Sequence, residues 1–282
     1  MEDLIRLFSA IYANFEARKR LKMATFLFDD IIFGPVKSRR LGVSLGINLL
    51  PTNRKICNFN CIYCECGWTK NHEKTISHLP ARVDVYNALE QKLSEMKENN
   101  QPPDVITYAG NGEPTLHPEF PGIIDDSITL RNRFFPDAKI AVLSNSTTIT
   151  DPQIKAALLK ADKNILKLDS AFDSTVKVHN QPQTSLYVEE LIKNLSGFSG
   201  KLIIQTLFLR GLYNGAVVDN TTPAEISAWL KAIERIRPSE VMIYTISRDT
   251  PEGGKLNKVP VKELRRIAAM VENLGIKTQV SG

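Results

Sequence analysis

Six short apolar runs alternate along the chain with longer stretches in which apolar residues recur at helical spacing, and this alternation limits the possible folds most. The runs are Val43–Leu50, Val105–Ala109, Ile140–Leu143, Ile165–Leu168, Leu202–Phe208 and Val241–Ile246. Strands that alternate with helices form right-handed βαβ units and a parallel sheet, whose strands are nearly continuously apolar because both faces are covered. The sequence therefore predicts an α/β protein, as either an open doubly wound sheet or a partial barrel.

Helix boundaries in the sequence agree with this pattern. Asp151-Pro152 and Thr222-Pro223 each place a capping residue before a first-turn proline, and Gly275 follows the last helical stretch. In either candidate fold, the loops that leave the carboxyl ends of the strands carry the chemistry.

All four cysteines lie between positions 57 and 66, on the loop after the first predicted strand. Such clustering indicates a metal site rather than a disulfide framework, because thiolates are ligands for soft metals. Three thiolates on one loop can hold three corners of an iron–sulfur cube, and four could close a zinc site. A ferredoxin-type electron carrier is disfavoured because its four cysteines follow a different spacing.

The spacing Cys57-x3-Cys61-x2-Cys64, with Tyr63 before the third cysteine, resembles the signature of radical S-adenosylmethionine (SAM) enzymes. The resemblance implies a partial (β/α)6 TIM-like barrel and a [4Fe–4S] cluster on these three cysteines. It also implies that the fourth iron binds SAM, which leaves Cys66 outside the ligand set.

A second segment, Gly110-Asn111-Gly112-Glu113-Pro114, is similar to the Gly-Gly-Glu-Pro segment of the same family, which contacts the SAM amino group. Glycines let the backbone approach a ligand closely, and a carboxylate can pair with an ammonium group. The family often has glycine where this chain has Asn111. The resemblance makes all four residues from Gly110 to Glu113 candidates for SAM binding.

The ends of the third and fourth predicted strands supply further candidates. Ser144 and Asn145 resemble the Thr-Asn-Gly that closes the third strand in many relatives. Strand alternation places Lys167 and Asp169 on one face. We expect Asp169 or Ser170 to bind the SAM ribose and Lys167 to meet the SAM carboxylate or the substrate. A structural ion pair between Lys167 and Asp169 is the alternative.

Polar residues on the last two predicted strands are candidates for the substrate side or for hydrogen-bonded packing: Gln205, Thr206, Tyr244 and Ser247. His117 is expected to cap the following helix, and His179 either faces substrate or is exposed. The family's adenine-contacting Gly-x-Ile-x-Gly-x-x-Glu pattern is not recognisable in this sequence.

The resemblance covers the chain from about Met23 onward, so residues 23–282 are expected to form the core domain and residues 1–22 an amphipathic extension. The segment from Gly34 to Gly42 is loosely similar to the subgroup related to the wybutosine-synthesis enzyme. The formal net charge is +5, which weakly favours a polyanionic partner. No apolar stretch is long enough for a membrane helix, and no signal peptide is evident, so we expect a cytoplasmic protein without a membrane partner.

The implied reaction uses one electron from an external donor of the flavodoxin or ferredoxin type. Reductive cleavage of SAM then yields a 5′-deoxyadenosyl radical that abstracts hydrogen from a substrate. A nucleoside in RNA is the first expectation for that substrate. An activase of a glycyl-radical enzyme is the alternative activity, and a zinc- or cluster-binding interaction module is a third interpretation.

Overall fold

The computed structural model describes residues 26–69, 79–248, 250–251 and 255–282. The expected extension at residues 1–22 lies outside these ranges. The described strands are β1 Ile32–Ser38, β2 Gly42–Ile47, β3 Val105–Tyr108, β4 Lys139–Ser144, β5 Lys163–Lys167, β6 Ile203–Tyr213, β7 Ala216–Asp219, β8 Glu240–Thr245, β9 Leu256–Lys258 and β10 Lys277–Ser281. The described helices are α1 Arg82–Glu98, α2 Phe120–Phe134, α3 Pro152–Lys160, α4 Asp173–His179, α5 Val188–Ser196, α6 Pro223–Ile236 and α7 Val261–Glu272.

A curled half-barrel sheet organises the molecule, which confirms the α/β class and the partial barrel. The strand order is β1-β2-β3-β4-β5-β6-β8-β10, with β1 antiparallel to β2 and every later neighbour on this path parallel. The six predicted strands are β2, β3, β4, β5, β6 and β8. The sequence did not predict β1, β7, β9 or β10; β7 and β9 pair with the extended end of β6.

Capping side chains begin the helices where the sequence indicated. Asp151 accepts hydrogen bonds from the backbone N–H groups of Gln153 at 2.7 Å and Ile154 at 3.3 Å. Thr222 accepts one from Glu225 N–H at 3.3 Å. Each such cap is worth about 1 kcal/mol. Among the described helices, none is both long and apolar enough to cross a membrane.

The two faces of the half-barrel differ in a way that positions the site. The outer face packs against the helices through the main core, which includes Ile106, Val142 and Leu166. On the inner face, a small apolar cluster near the amino ends of the strands contains Val105, Ala141, Ile165, Ile203 and Met242. Further along the same strands polar residues join the inner face, namely Thr107, Lys167, Gln205 and Tyr244, beside Leu143 and Leu207. The lumen is therefore filled at one end and polar at the carboxyl ends of the strands.

Candidate active site

A cavity of about 300 Å³ lies at the carboxyl ends of the strands. It gathers most of the residues predicted from the sequence: Cys57, Cys61, Tyr63, Cys64, Gly110, Gly112, Glu113, Ser144, Asn145, Lys167, Gln205 and Tyr244. Its wall also contains residues that the sequence did not single out, among them Arg40 and Lys55. The side chains of Asn111, Asp169 and Ser170 are buried beside this cavity but do not line it.

The cysteine loop is held by backbone hydrogen bonds on two sides. On one side, Ile56 N–H donates to Asn111 O at 2.9 Å and Glu113 N–H donates to Ile56 O at 3.0 Å. On the other side, Asn60 N–H donates to Asn180 O at 2.8 Å and Ile62 N–H donates to His179 O at 3.0 Å. The loop therefore spans between the Glu113 segment and the segment after α4.

Hydrogen-bond donors approach the sulfur atoms of all three candidate ligands. Cys57 Sγ accepts from Phe59 N–H at 3.4 Å and from Asn145 Nδ2 at 3.6 Å, and Cys61 Sγ accepts from Asn180 Nδ2 at 3.5 Å. The thiol of Cys66 donates to Gly110 O at 3.4 Å, and the backbone N–H of Cys66 and the Lys55 ammonium donate to Cys64 Sγ. These donors favour thiolates at the cavity wall.

The three thiols differ in acidity. Burial raises the pKa of Cys57 to about 12 and also raises the pKa of Cys61. Hydrogen bonds from Cys66, together with the charge of Lys55, lower the pKa of Cys64 despite its burial. Cys64 is therefore the thiol most easily ionised in the absence of metal.

Lys55 supplies positive charge beside the cysteines. Its side chain is buried, with 7% of the residue exposed, and Nζ donates to Gly67 O at 2.9 Å. Burial opposes its charged form, but the neighbouring thiolates of Cys64, Cys57 and Cys61 raise its pKa overall. The cation partly neutralises a thiolate cluster, as a buried anionic metal centre requires.

Glu113 points its carboxylate into the cavity from the loop after β3. The carboxylate accepts from Asn145 N–H at 2.6 Å, from Thr115 N–H at 3.1 Å and from Thr115 Oγ1 at 2.5 Å. Burial raises the pKa of Glu113, and these hydrogen bonds oppose the shift. Its orientation is fixed before any ligand binds, which favours recognition of a cation.

Close backbone approach explains one glycine of this segment. Gly112 has φ +141°, and a Cβ added there would lie 1.7 Å from Ile56 O. The side-chain amide of Asn111 does not line the cavity. It accepts from Phe28 N–H at 2.8 Å and donates to Phe28 O and Pro51 O, each at 2.9 Å. Asn111 therefore fastens the loop to the chain before the sheet.

Lys167 and Asp169 lie on the same face, as strand alternation predicts, with Lys167 Nζ 3.5 Å from Asp169 Oδ2. Lys167 lines the cavity, and its pKa is raised because Asp169 and its other anionic neighbours outweigh burial. Asp169 also accepts from the Tyr63 hydroxyl and from Asn180 Nδ2, the latter at 2.7 Å. Ser170 donates to Glu225 Oε2 at 2.6 Å. The polar atoms of Asp169 and Ser170 are thus occupied within the protein.

The remaining candidates divide between the cavity and the packing. Thr206 donates to Leu168 O at 2.7 Å and is buried, whereas Ser247 accepts from Arg39 Nη2 at 2.6 Å. His117 accepts from Glu119 N–H at 3.1 Å directly before α2, as a helix cap would. His179 is buried at the end of α4 rather than exposed.

Lys55 and Asn180 are two residues beside the cysteine sulfurs that sequence reasoning missed. Asn180 follows His179, which did attract attention, and a lysine two positions before the first cysteine is visible in the sequence. Only the tertiary contacts show that both side chains turn toward the sulfurs.

The donor set fits an iron–sulfur cluster. Three thiolates with N–H donors at their sulfurs, and an open cavity beside them, match a cluster that keeps one iron for a ligand.

Sequence comparison with known proteins finds one family model and several relatives. The family model described as the radical SAM superfamily matches residues 55–219. A Helicobacter pylori protein named UPF0026 is 32% identical over 248 residues, which are 86% of this chain and 74% of that protein. A Brachyspira hyodysenteriae protein named GTPase Obg is 29% identical over 226 residues, 78% of this chain, but this chain spans only 30% of its length.

Solved structures share the fold. A radical SAM methyltransferase from Sphaerobacter thermophilus has a TM-score of 0.61 at 13% identity, covering 84% of this chain and 65% of that one. Archaeal TYW1, from wybutosine synthesis, has a TM-score of 0.51 at 14% identity, covering 82% of this chain and 71% of that one.

Proposed function

Because the chain belongs to the radical SAM superfamily of enzymes, we propose that Cys57, Cys61 and Cys64 ligate three irons of a [4Fe–4S] cluster and that the fourth iron binds SAM. The chemistry these groups supply when bound is reductive cleavage of SAM to a 5′-deoxyadenosyl radical, which takes a hydrogen atom from the substrate. The observation that carries the proposal is the meeting of three thiols and the Glu113 carboxylate at one cavity.

Three side chains of the protein have distinct roles in binding SAM or the substrate. Glu113 receives the SAM ammonium group, because its carboxylate is held toward the cavity by Asn145 and Thr115. Lys167 offers a cation to the SAM carboxylate or to the substrate. Asp169 is better supported as the positioning residue for Lys167 than as a ribose ligand, since its oxygens already accept four hydrogen bonds.

Apolar side chains limit water around the reacting groups. Phe59 and Leu207 line the cavity, and both belong to the buried cluster that surrounds the cysteine loop. Exclusion of water protects a reactive radical from side reactions.

Free cysteines suit the cytoplasm, whose reducing conditions keep thiols available for metal. An external flavodoxin- or ferredoxin-type donor would deliver the electron there.

Anaerobic reconstitution of the full chain tests the class of site. We expect a brown protein with about four irons and four sulfides per chain, the content of one cubane cluster. After reduction with dithionite, it should cleave SAM to methionine and 5′-deoxyadenosine. Stoichiometric zinc without iron, or an iron-loaded protein that leaves SAM intact, would contradict the proposal.

We propose a nucleoside in RNA as the substrate, supported by the net charge of +5 and by the arginine-bearing turn that reaches the cavity through Arg40. Phosphate contacts make RNA affinity fall steeply with salt. Transfer RNA binding should therefore weaken several-fold between 50 and 200 mM salt, as roughly expected even for a few phosphate contacts. Binding that does not depend on salt, or no binding at low salt, would exclude this substrate class.

A further inference from the structure

A second cavity of about 330 Å³ adjoins the first and has no assigned role. Arg40, Glu65 and Leu143 line both cavities, so the second opens directly beside the space proposed for SAM. It lies on the inner face of the half-barrel, against Ser44 of β2 and Thr107 of β3. A molecule there would be next to the place where the radical forms.

The charges that line this second cavity are unbalanced. Four cations line it, namely Lys37, Arg39, Arg40 and Arg248, against the single carboxylate of Glu65. Glu65 is already paired with Arg248 at 2.7 Å. Arg39 donates to Gly282 O at 2.7 Å as well as to Ser247 Oγ. Among the described residues, no ion pair joins a carboxylate to Lys37 or Arg40. The cavity is therefore positively charged and suited to an anion.

Arg40 is the cation best placed to contact a bound molecule. Its guanidinium lies over the Tyr244 ring at 4.5 Å, with Nη1 3.4 Å from Gln205 Oε1, at the junction of the two cavities. Contacts with neutral groups leave most of its N–H donors available. Its charge is thus held in place without being neutralised.

The main chain around Arg40 is also fixed. Arg40 N–H donates to Ser38 Oγ at 3.3 Å, and Arg40 O accepts from Gln279 Nε2 of β10 at 3.0 Å. Arg39 donates to Ser247 Oγ at 2.6 Å. The turn between β1 and β2 thereby reaches from one edge of the half-barrel to the other, and this bridge orients Arg40 toward the lumen before a ligand binds.

The opposite wall is aromatic. Phe28 and Phe33 stack with ring centroids 3.6 Å apart. Gly46 of β2 makes room for this wall, since a Cβ there would lie 2.1 Å from the Phe33 ring. An apolar or aromatic portion of a ligand can pack against these rings while its charged end meets the arginines.

We propose that the second cavity holds the substrate and that Arg40 binds an oxyanion of that substrate. A phosphate agrees with a nucleoside in RNA, whereas a carboxylate would assign the site to another substrate class. This inference rests on the proposed function, because radical chemistry in the first cavity is what makes the second one a reaction space. A guanidinium fork matches both oxyanions, and loss of such a charge-assisted contact weakens binding roughly ten- to hundred-fold.

Three small aromatic probes test the site by calorimetry on the anaerobically reconstituted full chain with SAM present: phenyl phosphate, benzoate and neutral benzyl alcohol. One of the two anions should bind saturably and at least tenfold more tightly than benzyl alcohol. Preference for phenyl phosphate identifies a phosphate site, and preference for benzoate identifies a carboxylate site.

Variants assign the binding to Arg40. Arg40→Gln should weaken the favoured anion about ten- to hundred-fold without changing benzyl alcohol binding, and Arg40→Lys should lose less. Arg133→Gln is the matched control. It removes the same charge from an exposed helix surface, where Arg133 pairs with Glu90. It should bind the anion as the wild type does, and thermal unfolding confirms that each variant is folded.

The proposal is overturned if neither anion binds saturably, if Arg40→Gln and Arg133→Gln have the same effect, or if Arg40→Gln weakens SAM binding instead. Iron content and SAM cleavage are measured on the same wild-type preparations. Their absence would refute the proposed function, whereas normal cleavage without Arg40-dependent anion binding would refute only the substrate site.

Discussion

Asp169→Asn separates a structural role from a ligand-binding role at the centre of the site. The side chain of Asp169 is fully buried. Its carboxylate accepts from Tyr63 on the cysteine loop, from Asn180 at 2.7 Å, from Leu207 N–H at 3.0 Å and from Lys167 at 3.5 Å. One carboxylate therefore joins the cysteine loop, β5, β6 and the segment after α4.

The asparagine preserves shape but cannot satisfy these partners. Its NH2 group would face donors from Asn180, Tyr63 or Lys167, and Lys167 would keep its charge in a buried place without a counter-ion. Removing one partner of a buried ion pair costs about 3–5 kcal/mol. We expect the free energy of unfolding to fall by an amount in this range, measured by anaerobic urea denaturation followed by circular dichroism.

Two further variants make the measurement specific. Asp125→Asn breaks an exposed pair with Lys160 and should change stability by less than about 1 kcal/mol. Combining Asp169→Asn with Lys167→Met removes the unpaired charge and should recover part of the lost stability. A single variant that is as stable as the wild type but binds SAM weakly would refute this reasoning and restore the ribose contact.

Three other changes test the site. Glu113→Gln should keep the cluster but weaken SAM binding by about 1.5–3 kcal/mol, or ten- to hundred-fold; unchanged affinity by calorimetry would mean that the loop is only a turn. Cys66→Ser should retain four-iron loading and SAM cleavage, whereas serine at Cys57, Cys61 or Cys64 should abolish cleavage; equal metal loss in all four variants, with SAM present, would contradict the three-ligand assignment. Burial lowers the pKa of His179 in the folded protein. As the pH falls below 6.5, the unfolded chain therefore takes up a proton first, and the free energy of unfolding should fall. In urea denaturation at pH 7.5 and 5.5, the free energy of unfolding of His179→Gln should decrease less than that of the wild type.

The strands that the sequence predicted differ physically from those it did not. β3 and β5 are interior strands of the sheet, and buried apolar pairs mark each of them: Val105 and Ile106 in β3, and Ile165 and Leu166 in β5. β1 and β10 lie at the edges of the half-barrel, and β1 contains Pro35, which edge strands tolerate. Lys277–Ser281 carries polar residues that do not stand out from a loop.

The same reasoning applies to the site. The place of the cysteines and of Glu113 at the cavity was predictable from motif spacing, because each motif lies on one short loop and is recorded in the local sequence. The roles of Lys55, Arg40 and Asn180 depend on which segments meet in three dimensions. For Asn111, the motif gave the position in the loop but not the direction of the side chain, which turns toward Phe28.

The contacts of the cysteine loop indicate how the barrel prepares it for metal. Gly112 allows the Glu113 segment to pair with Ile56, and Asn180 joins the segment after α4 to Cys61 and Asp169. The first anchor lies on the loop that leaves the carboxyl end of β3, and the second follows helix α4, which comes after β5. The parallel sheet and this short helix therefore bring both anchors to the cysteines. A loop held in this way has less conformational entropy to lose when metal binds. The half-barrel thus fixes the backbone of the site. The hydrogen bonds from Asn145 to Cys57 Sγ and from Asn180 to Cys61 Sγ also restrain the positions of these sulfurs.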